Sequence, residues 1–442
     1  MTRLTNLLVV GLLAALHALL RTGEDPLSGE KSGKLLILDG GELMTQTKAV
    51  TAIAAIACAL LLGVGPADAQ TVKIGFIGTY SGPGAPQGDQ FDKGLKLFMK
   101  LNGDKLPPGV KVELIVRDDT GPNPDNGKRV AQELIVRDKV QFITGVIWTP
   151  NARAIAPLTA EAKVPFISAN AAGVDVPYMS PYFARVSFTL WQSCYPLGQW
   201  AAKKYKRVYT AVSDFAPGHE AEEAFIKAFK EGGGEIVASV RIPLANPDFV
   251  PYMQRVKDAK PEAVFSFIPA GKQATAIMKA YGDLGLDKAG IKFIGPGDLT
   301  TDEELQGMGD VAVGVITAHH YSAAADRPAN KAFVAAYKKE YGEKLFPGFL
   351  VVGAYDAMEA IFHVIREQKG KIDPDKTMEL LKQYKNPNSP RGPMSIDPET
   401  RDVVQNEYLR EVRKVGGVLA NVEIETLATA LKDPWKEFNK KK

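Results

Sequence analysis

From Thr71 onward the chain alternates between short runs rich in β-branched and aromatic residues and longer stretches with apolar residues at helical spacing. Residues 72–77, Val-Lys-Ile-Gly-Phe-Ile, predict a strand that the turn Ser81-Gly82-Pro83-Gly84 closes. A helix is predicted over 88–101, with Phe91, Leu95 and Phe98 on one face. Strands are predicted at 110–116, 140–144 and 164–168, and helices at 125–137 and 149–162. Strands and helices that alternate through short loops imply a parallel sheet with helices on both faces.

After an aromatic-rich helix at 191–204 the rhythm restarts. It gives strands at 208–212, 235–241, 263–268 and 292–295, with helices at 218–231, 249–258 and 273–284. Helices at 328–341, 351–368 and 374–383 precede a short β-like tail at 394–396 and 407–415. The expected class is α/β, with two doubly wound parallel-sheet lobes facing each other across a cleft. Ligands of open α/β sheets bind beyond the carboxyl ends of the strands. The loops to inspect are therefore 79–88, 117–124, 145–151, 169–174, 213–218, 269–273 and 296–302.

Residues 1–69 break this pattern. Apolar runs occupy 7–20 and 49–64, and the second follows Met44 and Lys48 and ends at Ala67-Asp68-Ala69. A basic start, an apolar middle and an A-x-A end predict a secretory leader starting at Met44 and cleaved after Ala69, with 1–43 as upstream sequence. The run is shorter than the roughly 20 residues a membrane span prefers. The content of 45% hydrophobic and 24% charged residues fits a soluble globular protein. Net charge is +3, becoming +4 once the five basic and six acidic residues of 1–69 are removed. No dense basic stripe accompanies it, which argues against a nucleic-acid partner. Cys58 falls in the leader and Cys194 would be a lone thiol among apolar neighbours, so neither a disulfide nor a cysteine metal site is expected.

The sharpest local signal is Gly145-Val146-Ile147-Trp148-Thr149-Pro150-Asn151. Thr149 followed by Pro150 reads as the N-cap and first residue of a helix at the carboxyl end of a buried strand. Free N–H groups and the helix dipole there make an anion site, and the Thr149 hydroxyl is placed to donate to a carboxylate. Asn170 to Gly173 follow the next strand, and Trp148 is the candidate wall for an apolar ligand. No catalytic set emerges. The histidines at 17, 219, 319, 320 and 363 lack metal-ligand spacing, and His319 and His320 would point in opposite directions on a strand. No cofactor or metal is expected. Asp118-Asp119 reads as a solvated turn.

Several segments together resemble the branched-chain amino-acid (Leu/Ile/Val)-binding family of periplasmic proteins, the receptors of ABC importers. They are Ile74-Gly75, Tyr80-Ser81-Gly82-Pro83, Gly88-Asp89-Gln90, Asp118-Asp119, Phe142-Ile143-Thr144-Gly145, Val164-Pro165-Phe166-Ile167-Ser168 and Phe293-Ile294-Gly295-Pro296. The likeness runs in order over 71–420. It implies a type I periplasmic binding protein fold, with a three-strand hinge near 190, 319 and 388. Lobe 1 would comprise 70–190 with 320–387, and lobe 2 would comprise 191–319 with 388–442. It also implies an inner-membrane ABC permease and its ATPase as partners, with no enzymatic activity.

By the same resemblance a ligand carboxylate would be held at Thr149, Asn170 and Ala172. Lobe 2 would close with 215–218, including Phe215 and Pro217, and with 269–271, including Ala270. Gln87 would stand where the family has an aromatic wall. The carboxylate that neutralises an amino acid's ammonium would fall at Gly297, with Asp298 one step later. This departure favours an acid without an amine, and with Trp148 beside the anion site an aromatic acid of benzoate or phenylpropenoate type is expected. An aliphatic amino-acid receptor and an amide sensor of the same fold are the alternatives.

Overall fold

The computed structural model describes residues 70–439, together with an antiparallel backbone pairing of Leu36–Ile37 with Leu43–Met44. Apart from that pairing, the leader reading of 1–69, Cys58 and His17 included, lies outside the described residues.

The first sheet contains β1 (Gln70–Gly78), β2 (Val110–Asp118), β3 (Phe142–Gly145), β4 (Phe166–Ser168) and β5 (Phe183–Arg185). All five run parallel in the order β2-β1-β3-β4-β5. The linking helices are α1 (Ala85–Asn102), α2 (Pro124–Gln132), α3 (Thr149–Ala162) and the single turn α4 (Val176–Met179). Every residue of β1 from Ile74 to Gly78 is buried, because helices cover both faces of a central parallel strand. The edge strand β2 is only half covered, and its burial alternates.

The second lobe repeats this plan. After α5 (Leu190–Ala202) come β6 (Arg207–Ser213), α6 (Ala216–Glu231), β7 (Glu235–Ile242), α7 (Val250–Ala259), β8 (Ala263–Phe267), α8 (Lys272–Asp283), β9 (Lys292–Pro296), the turn α9 (Leu305–Met308) and β10 (Ile316–His319). The parallel order β7-β6-β8-β9-β10 matches the first lobe strand for strand. Both lobes also share a packing device. A Cβ on Gly88 of α1 would lie 1.7 Å from the Thr79 carbonyl, and one on Gly218 of α6 would lie 1.9 Å from the Ser213 carbonyl. Each helix therefore sits directly on the carboxyl end of the first strand of its lobe.

The chain then returns to the first lobe through α10 (Pro328–Tyr341), α11 (Phe349–Glu367) and α12 (Pro374–Lys382). There α11 lies against α1 so closely that a Cβ on Gly94 would meet the Val351 carbonyl at 2.2 Å. It next adds β11 (Lys385–Asn386), β12 (Met394–Ile396), β13 (Val403–Val415) and β14 (Val418–Leu431) to the second sheet, and closes with α13 (Pro434–Asn439). β13 pairs antiparallel with β10, and β12 and β14 flank it.

The tail is thus much longer than its sequence suggests. β14 was not expected, because its burial is one-sided and its sequence carries Asn421, Glu423 and Glu425 among the apolar residues. The expectation for His319 and His320 is corrected too. β10 ends at His319, so the two side chains do not diverge across a strand, and their ring centroids stand 4.2 Å apart.

Segments 186–189 and 320–327 carry the chain between the sheets, and after the return to the second sheet at β11 the loop 387–393 leads on to β12. Two fully buried arginines bind them. Arg391 donates to the carbonyls of Val186 and Ser187, each at 2.9 Å, and to Gln405 Oε1 at 3.0 Å, and it pairs with Asp356 of α11 at 2.8 Å. Arg410 donates to the Tyr321 carbonyl at 2.6 Å and to Thr317 Oγ1 at 3.0 Å.

Candidate functional site

In the order β2-β1-β3-β4-β5 the connections leave the neighbours β1 and β3 in opposite directions, and a crevice opens beyond their carboxyl ends. The turn after β3 is built to reach it. A Cβ on Gly145, at φ +91°, would meet the Ile77 carbonyl at 2.2 Å. Val146 follows at φ +62°, a left-handed conformation that costs a β-branched residue roughly 1–3 kcal/mol. The Val146 N–H to the Ile77 carbonyl, at 2.7 Å, holds this turn, and the chain emerges with Trp148 at the crevice.

The equivalent switch between β6 and β8 presents Phe215, Pro217, Pro269 and Ala270. Between the two switches lies a narrow cavity with a free volume of about 50 Å³, within a recess of about 490 Å³ when the space open to solvent at its mouth is counted. The first lobe contributes Gln87, Ile147, Trp148, Thr149, Asn170 and Ala172, with Phe349 and Leu350 from the start of α11. The second lobe contributes Phe267 and Asp298 beside the four residues above, the first crossing adds Phe188 and the start of α5 adds Leu190.

Nine of the ten residues singled out from the sequence therefore line one cavity. Gly297 does not. It packs against His319, where a Cβ would lie 2.3 Å from the ring, and the next residue, Asp298, faces the cavity in its place. A carboxyl group thus reaches the site despite the one-residue displacement. The sequence reading missed Phe188, Leu190, Phe349 and Leu350. They come from segments remote in the chain, and the only signal was the start of an apolar helix after Pro347-Gly348.

Two readings of individual residues change. The N-cap of α3 is Trp148 and not Thr149, which occupies the first helical position. The Thr149 hydroxyl accepts from the Gly173 N–H at 3.1 Å rather than from its own helix. Its proton stays available to an acceptor in the cavity. The Thr149 N–H has no intrahelical acceptor at that position, and the Ala172 N–H makes no backbone hydrogen bond among the described residues. Asp119 is likewise no solvated turn residue but fully buried. It accepts from Thr79 Oγ1 at 2.6 Å and from Asn151 Nδ2 at 2.8 Å. Thr79 in turn accepts the Trp148 indole N–H at 2.8 Å. Burial raises the Asp119 carboxyl despite these hydrogen bonds. The chain Asp119–Thr79–Trp148 fixes the tryptophan as a wall of the cavity.

The cavity is polar at few points. Asn170 Nδ2 donates to the Ile147 carbonyl at 2.9 Å and Gln87 Nε2 donates to the Ala270 carbonyl at 2.6 Å. Asp298 Oδ2, Asn170 Oδ1 and Gln87 Oε1 are buried without partners. Burial pushes the Asp298 carboxyl up to about 7, against a partial opposing pull from Arg410. No lysine, arginine or histidine lines the cavity. An anion there would be held by N–H groups, a hydroxyl and the positive end of α3. Five aromatic rings form most of the remaining wall. Among them Phe215 and Phe267 have centroids 6.0 Å apart, and Phe188 and Phe349 stand edge to face at 5.7 Å.

The periplasmic binding protein family model matches residues 71–417. The chain is a member of this family. It is 42% identical over 380 residues to the Leu/Ile/Val-binding protein homolog 6 of Brucella melitensis, covering 86% of this chain and 96% of that protein. Its fold is similar to an ABC-transporter solute-binding protein of Rhodopseudomonas palustris BisB5 solved with 3,4-dihydroxybenzoic acid. That likeness has a TM-score of 0.80 and 51% identity, over 83% of this chain and 99% of that one. A second R. palustris solute-binding protein, solved with 4-hydroxybenzoate, matches with a TM-score of 0.78 and 45% identity over 82% of this chain and 98% of that one.

In this periplasmic binding protein the lobes also touch at the seam beside α3 and α6. Glu220 of α6 accepts from Arg153 Nη2 of α3 at 3.1 Å and from the Val174 N–H at 3.3 Å. Arg153 is shared with Asp175, which it meets at 3.0 Å. Burial pushes the Glu220 carboxyl up to about 7, while Arg153 pulls it down in part. A carboxyl raised in the joined form holds its proton more tightly there than when the lobes part and water returns it toward about 4.3. Joining the lobes therefore takes up a proton. The contribution is full below the lower value and fades as pH rises through about 7. Affinity for a ligand that bridges the lobes should accordingly fall as pH rises from about 4.3 to about 7 and level off above that, and Glu220→Gln should flatten that slope. Calorimetry in buffers of different ionisation enthalpy measures the proton taken up, and equal uptake in both proteins would contradict the assignment.

Proposed function

We propose that this protein is the extracytoplasmic receptor of an ABC importer, and that it clamps an aromatic carboxylic acid of benzoate or phenylpropenoate type. The observation that carries the proposal is the cavity between the lobes, which joins free amides and a hydroxyl at the start of α3 to a lining of five aromatic rings without a basic side chain. An anionic head would sit at Thr149 and Ala172, and its flat apolar body against Trp148, Phe215 and Phe267. The acids bound by the two R. palustris proteins support this choice of ligand.

The receptor would be exported by the leader within residues 1–69, cleaved after Ala69. Lobe 1 (70–190 with 320–387) binds the carboxylate first, and lobe 2 (191–319 with 388–442) then swings over the ring about the hinge. A ligand that touches both lobes only when they are joined shifts the population toward the closed form. That form would dock on an inner-membrane permease whose partner ATPase drives import. A branched-chain amino acid is the second reading. Asp298, a carboxyl able to face an ammonium, favours it, as do the names of the Brucella relatives.

The test is Thr149→Ala. Losing the hydroxyl should weaken benzoate by about 1–3 kcal/mol, the worth of a hydrogen bond to a charged group. Benzamide, which has no charge to stabilise, should lose less. Calorimetry that found benzoate affinity unchanged would remove the anion site from the account.

A further inference from the structure

The cavity offers its two lobes' worth of polar groups unequally. On the first lobe the donors left free are the Thr149 N–H and O–H and the Ala172 N–H, beside two neutral amide oxygens, Gln87 Oε1 and Asn170 Oδ1. On the second lobe the charged-type group is Asp298, 7% exposed, with Oδ2 buried and no partner. With no basic side chain in the wall, the protein supplies no cation to this carboxyl inside the cavity. Behind it, Arg410 reaches the preceding carbonyl, Gly297 O, at 3.4 Å and fixes the turn from the far side. A buried acceptor that the protein leaves unpartnered in the wall of the cavity between the lobes is expected to meet its donor in the ligand.

We infer that Asp298 is the specificity-determining residue for a ring hydroxyl, so that the preferred cargo is a hydroxylated aromatic acid rather than the bare acid. This inference rests on the aromatic-acid reading given above. The ligand it describes carries an anion at one end, a flat ring in the middle and a hydrogen-bond donor that reaches Asp298. A phenolic hydroxyl suits this carboxyl better than an ammonium does. An ammonium brings three donors and a full charge that only an ionised carboxylate offsets. The other unpartnered acceptors, Gln87 Oε1 and Asn170 Oδ1, are neutral amide oxygens. Burial holds the Asp298 carboxyl near neutrality at about 7, where its two protonation states coexist. A hydroxyl serves both, donating to the carboxylate or exchanging hydrogen bonds with the carboxylic acid.

The experiment is calorimetric titration of the wild type, Asp298→Ala and Asp298→Asn with benzoate and its three monohydroxy isomers. Melting curves establish that each variant is folded, and the near-isosteric Asp298→Asn keeps the test alive if the alanine variant is not. In the wild type at least one isomer should bind about tenfold or more tighter than benzoate, the effect of one hydrogen bond to a buried ionisable group. Asp298→Asn, which still accepts and donates, should keep most of that ratio, and Asp298→Ala should bring it close to one. A ratio that survives in Asp298→Ala, or a wild type in which no isomer exceeds benzoate, overturns the role of Asp298 while leaving the acid receptor standing. If neither these four acids nor phenylpropenoates bind, the aromatic-acid reading itself fails and this inference with it.

Discussion

Trp148→Ala is expected to weaken binding of an aromatic acid about 100-fold, the scale of losing a central aromatic anchor. The tryptophan lines the cavity while only 9% exposed, and its indole N–H is tied to Thr79, itself tied to the buried Asp119. The ring is thus fixed in place before a ligand arrives, so little side-chain entropy is lost on binding. Alanine removes the wall and also leaves the Thr79 hydroxyl without its donor. Trp148→Phe separates the two effects, because it keeps an aromatic surface but loses the N–H anchor. It should fall between wild type and alanine. Equal losses from both variants would mean that the hydrogen bond, and not the surface, carries the effect.

The second large effect falls on stability. Arg391→Leu should destabilise the fold by about 3–5 kcal/mol, because it strands the buried Asp356 without its ion-pair partner. Asp356 would keep only the Ser389 hydroxyl, at 2.8 Å. The carbonyls of Val186 and Ser187 in the first crossing would lose their shared donor as well. Replacing Asp356 by leucine together with Arg391 should recover part of the loss, since no unpaired buried charge then remains. Urea unfolding of the two single variants and the double variant measures this coupling. A single variant within about 1 kcal/mol of wild type would show that Arg391 is not what binds the crossings together.

How much of this was legible in the sequence depends on the range of the interactions involved. The strands at the centre of each sheet are buried on both faces, so segments such as Ile74 to Gly78 read as continuous apolar runs. The site loops follow those strands directly, and for that reason position alone puts Trp148, Thr149 and Asn170 near one another, while Phe215 and Ala270 follow from the family resemblance, in loops that position also selects. The burial of Asp119 was hidden, because its partners Thr79 and Asn151 lie 40 and 32 residues away and no local pattern announces them. Gly297 and Asp298 show how coarse a one-residue assignment is, since the turn sends one toward His319 and the other into the cavity. The long hairpin of β13 and β14 was legible only in part, because one of its faces is exposed and polar.

The central claim is that the cavity between the lobes accepts an aromatic carboxylate in preference to an amino acid. A ligand that binds only the folded protein raises its melting temperature in proportion to RT ln(1 + [L]/Kd). The most direct measurement is therefore the melting temperature of the protein with benzoate, hydroxybenzoates and phenylpropenoates at one shared concentration, set against leucine, isoleucine and valine. The largest shift is expected from an aromatic acid, with little or none from the amino acids. The largest shift coming from leucine, with the aromatic acids silent, would contradict it.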